Sequence, residues 1–171
     1  GVHIDAGWDT EISSRNLKLL CENCKIELKN IKINEEEMMD LQRSYLLSEV
    51  INQDVPQDHA FFAELYHYVI IEKQKYFISG HNWATESITP LAWGFDAYDS
   101  TNIKAIHKKY GRIKLKEYPF LSFYENRIKT PYICKMKKLR PLDCIKYNPD
   151  EALRTLEKEI GFKYYGSNSL S

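Results

Sequence analysis

Lys75 to Ser87 reads KYFISGHNWATES, and the interpretation of the fold hangs on this stretch. An apolar run, Tyr76-Phe77-Ile78, ends in Ser79-Gly80, and polar side chains follow at once. That is the layout of a buried strand delivering chemical groups at its carboxyl end, where ligands sit in open α/β sheets. Gly80 lets a ligand approach the backbone closely. His81 and Asn82 can hydrogen-bond a phosphate or a carbonyl oxygen. Glu86 can act as a base or orient an amine, and Thr85 and Ser87 add hydroxyls.

Upstream, Val2 to Trp8 reads as a short buried strand ending in a turn. Its Asp5 is either a turn residue bonding nearby backbone or a carboxylate facing a ligand. Ser13 or Ser14 caps a helix running to about Cys24, and Ile26 to Ile33 reads as a second strand. Asn34 then caps a helix, with Glu37 at the capping-box position and Met38, Leu41, Tyr45 and Leu46 as its apolar face. Pro56 biases Val55 away from helix. The helix that follows carries Phe61, Phe62, Leu65, Tyr66, Val69 and Ile70 at helical spacing. Gln57, Asp58 and His59 stand at its amino end, where free N–H groups favour anions. Two readings compete there: Asp58 capping with His59 solvated, or all three facing a ligand.

Downstream, Trp83 to Asp96 repeats at neither helix nor strand period. A long irregular stretch rich in aromatic and polar groups inside a domain is usually functional. Asp99-Ser100-Thr101 offers caps for a helix with Ile103, Ile106 and Tyr110 on one face, stopped by Gly111. His107 is most simply a surface residue of that helix. Lys108 to Lys116 is basic, and reads either as a phosphate-facing patch or as a solvated helix end and connector. Tyr118 to Thr130 reads as partly helical, ending before Pro131, with a last strand at Pro141 to Ile145. Asn148-Pro149-Asp150-Glu151 is a strong helix start, and Gly161 ends that helix.

Strands alternating with helices predict a single α/β domain over 1–171, a Rossmann-like parallel sheet with helices on both faces. At 171 residues the chain is long enough to build its own core. Lys+Arg and Asp+Glu both number 24, and the missing basic excess argues against nucleic acid as a partner. No apolar run approaches the ~20 residues that span a bilayer. Four cysteines are too few for a disulfide scaffold. Cys21 and Cys24 fall with Leu17 and Leu20 on one helical face, so their CxxC reads as core packing, consistent with a reducing cytoplasm. There is no GxGxxG, Walker loop, GxSxG elbow or HExxH helix.

Several segments together resemble the N-acetyl sugar amidotransferases. They are VHIDAGW at 2–8, PQDHAFF at 56–62, ISGHNWATES at 78–87, WGFDAYD at 93–99, IHKKYGRIKLKEYP at 106–119 and RPLDCIKYN at 140–148. The resemblance covers nearly the whole chain. That family belongs to the PP-loop ATP pyrophosphatases, whose adenine-nucleotide α-hydrolase-like fold is a parallel α/β sheet. It implies an ATP- and Mg²⁺-dependent reaction in which the oxygen of a sugar N-acetyl group is adenylated and ammonia then displaces AMP. Acetamido becomes acetamidino, for bacterial surface polysaccharide such as lipopolysaccharide O-antigen. The implied partners are an N-acetylated nucleotide sugar and a glutaminase that supplies ammonia.

By resemblance, Ile4, Asp5 and Ala6 border the adenosine, and Ser79, Gly80, His81 and Asn82 lie near the ribose and α-phosphate. Gln57, Asp58 and His59, with Thr85 and Glu86, are candidates for the acceptor sugar or the ammonia channel. Glu86, His81 and Asp58 are the candidate catalytic groups. Related thiolation enzymes often carry an acid soon after GHN. Trp83-Ala84 stands there in this sequence, which leaves Glu86 as the carboxylate. The family's pyrophosphate-cradling SGGxDS loop and its N-terminal cysteine cluster are not in the sequence. The expectation is therefore an incomplete fold, a fragment of a longer enzyme, inactive in isolation. A non-catalytic binding module and a PP-loop tRNA sulfurtransferase are the alternatives. An SGGxDS loop encoded upstream of Gly1 would favour the enzyme over the module, and the neutral charge disfavours the sulfurtransferase.

Overall fold

Four short strands pair in two parallel couples in the computed structural model, which describes residues 1–81 and 96–164. β1 (Val2–Asp5) lies beside β2 (Lys29–Lys32), with Ile4 opposite Ile31, and α1 (Glu11–Cys24) makes the crossover. β3 (Tyr76–Ile78) lies beside β4 (Lys137–Leu139), with Ile78 opposite Leu139. The mixed α/β character and the parallel pairing are as the alternation predicts. A single continuous sheet is not formed among the described residues. α3 (Val55–Ile71) reaches both couples: it packs on β1, and its Tyr66 ring meets Phe77 of β3 edge-on at 6.1 Å.

The core is helical. α2 (Glu35–Ser48) supplies Met38, Leu41 and Tyr45, all fully buried, and α4 (Ser100–Tyr110) supplies Ile103 and Ile106. Ala60 of α3, Ala6, Ile33 and Tyr118 complete this cluster. Leu46, expected on the apolar face of α2, is exposed instead. It lies one residue beyond Tyr45 and so rotates off the stripe that α4 covers.

The caps are local chemistry. Asn34 accepts the N–H of Glu37 at 3.1 Å, Asp99 accepts those of Thr101 and Asn102, and Asn148 accepts those of Asp150 and Glu151. α5 (Pro149–Ile160) ends at Gly161, whose φ of +68° suits glycine. Four local expectations are corrected. Thr10, not Ser13 or Ser14, caps α1, and its hydroxyl accepts the Ser13 N–H. Val55 opens α3 despite the following Pro56, which sits in the first turn where an absent N–H costs nothing. The last strand is Lys137–Leu139, and Pro141–Cys144 forms a 3₁₀ turn. The segment after Tyr118 does not stop before Pro131. Glu125–Ile133 is a π-helical run that passes through it, closed by the Cys134 N–H on the Lys129 carbonyl.

α2 also holds the connector after α4. The Glu37 carboxylate is buried and accepts the N–H groups of Lys116, Glu117 and Tyr118 at 2.7–2.9 Å. Its side chain therefore does not complete a capping box. One turn on, Asp40 accepts the Arg112 and Ile113 N–H groups, His107 Nε2 and the Arg43 guanidinium. Burial pushes the Asp40 carboxyl up, but these donors outweigh it and hold it at about 2. His107 is thus no simple surface residue, because a partner 67 positions away draws it inward.

Candidate functional site

The carboxyl end of β1 and the amino end of α3 face one another across a cleft of about 580 Å³. Ile4 and Ala6 contribute from the strand, and Gln57 and Asp58 from the first turns of the helix. Four of the residues singled out in the sequence, from two segments, thereby share one space. Phe61, Phe62 and Leu65 line the helix wall, and Trp8, about half exposed, stands among the strand-side residues. The size and the mix of rings with a few polar groups suit a small-molecule ligand.

Burial raises the Asp58 carboxyl above its ordinary value, and the nearby charge of Asp54 adds to the effect. A carboxyl poised in this way inside a cleft is a candidate proton acceptor. Asp58 does not cap α3. The N-cap residue is Asp54, which makes no side-chain capping bond. Opposite, His3 Nε2 pairs with Asp9 Oδ2 at 2.5 Å, and both residues line the cleft. Sequence reading missed this pair, because His3 is a strand position and Asp9 a loop position six further on, and no periodicity links them.

The other candidates fall elsewhere. Asp5 is a turn residue: its Oδ1 accepts the Gly7 N–H at 2.8 Å, and Gly7 adopts φ +90°. His59 points away from the cleft and is fully buried, neither solvated nor ligand-facing. Its Nδ1–H donates to the Ala97 carbonyl at 2.7 Å and its Nε2 accepts the Leu121 N–H at 3.0 Å. A carbonyl can only accept and an amide N–H can only donate, so the ring is neutral in this tautomer. Burial lowers its proton affinity in agreement, despite the opposing carbonyl bond. Ser79, Gly80 and His81 follow β3 and are not among the residues described as lining the cleft. Among the described residues, a side chain placed on Gly80 would meet nothing within 4 Å. Asn82, Thr85 and Glu86 lie outside the described residues.

The ionisable groups described in the cleft are His3, Asp9 and Asp58, with no Lys or Arg among them. That lining fits a neutral ring or a sugar, and it does not fit a triphosphate. Among the described residues no group of three or more His, Cys, Asp and Glu side chains is placed to hold a metal ion. Likewise, no described helix is long and apolar enough to cross a membrane. No protein-family model, curated protein or solved structure matches the chain.

Proposed function

We propose that the cleft between β1 and α3 binds the acceptor in an ATP-dependent N-acetyl sugar amidotransferase that converts acetamido to acetamidino. The observation carrying this reading is the meeting of Ile4, Ala6, Gln57 and Asp58 in one cleft, since the resemblance assigns these two segments to adenosine and acceptor. Trp8 and the Phe61 and Phe62 rings offer faces on which a sugar or an adenine can lie.

An amide is a poor electrophile, and placing a phosphate ester on its oxygen supplies the leaving group. ATP supplies that phosphoryl chemistry when bound. Ammonia must lose a proton as its nitrogen joins the acetamido carbon. Asp58 is the group in the cleft suited to take it, because burial makes its carboxylate a better base than a free aspartate. Gln57 can orient the acetamido oxygen or nitrogen through its amide. Described residues of the cleft supply no cradle for the phosphates, so no step is routed through them. A glutaminase is the partner that would deliver ammonia.

The test incubates the protein with ATP, Mg²⁺, ammonia and a panel of N-acetylated nucleotide sugars. The expected result is pyrophosphate release together with an amidine product seen by mass spectrometry. Absence of both across the panel rejects the reading. Binding of such a sugar without turnover, lost in Asp58→Asn and Phe62→Ala, would favour the binding module.

A further inference from the structure

The connector that α2 holds forms one wall of a second cavity of about 520 Å³, and every charged side chain described in its lining can carry positive charge. They are Lys104, His107 and Lys108 on α4, and Arg112 and Lys114 on the connector, with Phe120 alongside. In a chain of zero net charge this is a local concentration. We propose that it is a binding site for a small organic anion bearing a diphosphate or an equivalent pair of phosphates.

Three observations carry the assignment. First, apart from His107, which pairs with Asp40 at 2.9 Å, the cations lack partners of opposite sign among the described residues. Among the described residues, Lys104, Lys108, Arg112 and Lys114 form no ion pair with a carboxylate, and Lys104 Nζ sits 4.4 Å from the centre of the Phe120 ring. Second, the nearest acid is already engaged. Asp40 lies buried behind the cavity, with its oxygens taken by Arg43, His107 and two backbone N–H groups. It therefore fixes the wall without facing a ligand. Third, the wall is built for this geometry. A Cβ on Gly111 would lie 2.3 Å from His107 Nε2, so a glycine is needed for the imidazole to reach Asp40 while the chain turns into Arg112. The polar atoms of Arg112 and Lys114 thus stand on backbone pinned by Asp40 and Glu37 rather than on a loose loop.

The volume is in the range of small-molecule sites, roughly 300–1,000 Å³. Phe120 and Leu115 give the remainder of the ligand an apolar surface. Phosphate oxygens accept charge-assisted hydrogen bonds from ammonium and guanidinium groups, so the cationic lining selects for them. The site has no described lining residue in common with the β1–α3 cleft, and the proposal does not depend on what that cleft binds.

The test titrates inorganic pyrophosphate into the intact chain by calorimetry, with inorganic phosphate as the weaker comparison. Saturable binding is expected, tighter for pyrophosphate. In the double variant Lys108→Gln/Arg112→Gln it should weaken by at least about tenfold, the size expected for losing one charge-assisted hydrogen bond or more. Both side chains are exposed, so circular dichroism and thermal unfolding should show the fold retained. The exposed lysines Lys18 and Lys158, replaced by Gln, should leave binding unchanged. No saturation at millimolar pyrophosphate overturns the proposal, as does equal weakening by the control variants. A single-stranded oligonucleotide that binds more tightly than pyrophosphate, and is lost in the same double variant, would assign the patch to nucleic acid instead.

Discussion

The two strand couples have the same parallel pairing and very different surroundings. β1–β2 packs under α3, with Ala6 and Ile33 just beyond its strand ends inside the main core. β3–β4 leaves a face open: Tyr76, Ile78 and Leu139 are 56%, 74% and 44% exposed. Strand pairing alone therefore explains little of the stability. What separates the couples is the helical layer beside the first, where α2 and α4 bury a stripe of apolar side chains and where Glu37 and Asp40 pin the connector. The candidate cleft and the cationic cavity both border this better-packed half.

The contrast can be broken at its strongest point first. Asp40→Ala removes the acceptor for two backbone N–H groups, His107 and the part-buried Arg43 guanidinium, so a loss of about 3 kcal/mol is expected in urea unfolding. A loss under about 1 kcal/mol would mean that the connector does not need the carboxylate. Leu41→Ala, at a fully buried position, should cost about 3 kcal/mol by the same measurement.

The pH dependence sharpens the same point. The folded Asp40 carboxyl lies at about 2 against its ordinary 3.8. The stability it contributes is therefore present above about pH 4 and is lost as pH falls toward 2. His59 acts in a higher window. Its folded proton affinity is lowered from the ordinary 6.5, so the unfolded chain takes up the proton first and stability declines as pH falls below 6.5. Urea midpoints at pH 7 and pH 5 should show the decline in the native protein and a shallower one in His59→Gln.

Tyr45 offers a gain. Its hydroxyl is buried with no partner among the described residues, so Tyr45→Phe should stabilise by about 1 kcal/mol. Ile78→Ala on the open couple is the smallest effect, within about 0.5 kcal/mol. A large loss there would show that the exposed face is covered in solution.

Much of this was legible in the residues. Asn34 and Asn148 announced their helices, and Asp99 stood among three candidates for its own, because capping is local, a side chain reaching an N–H two or three positions on. The pairing of β1 with β2 through α1 followed from alternation. The stretch at 75–81 was over-read. Its apolar run does make a strand, but a three-residue strand with two exposed side chains is no buried platform. Of the site, Gln57 and Asp58 were found because a helix amino end is visible in sequence. His59, next in line, was assigned to solvent or ligand, and one further step around the helix sends it into the core.

The sequence by itself determined the caps of α2 and α5, the parallel crossover and the zero net charge, since each depends on neighbours within a few residues or on a simple count. Only the tertiary structure decided which polar groups became buried partners. Glu37 meets amides about 80 positions away, Asp40 meets His107 across 67, and His59 meets Leu121 across 62. The same packing brought Asp58 opposite Ile4 and placed Arg112 beside Lys104. No local pattern encodes such meetings. They arise because a buried charge or imidazole must find partners wherever the folded chain presents them.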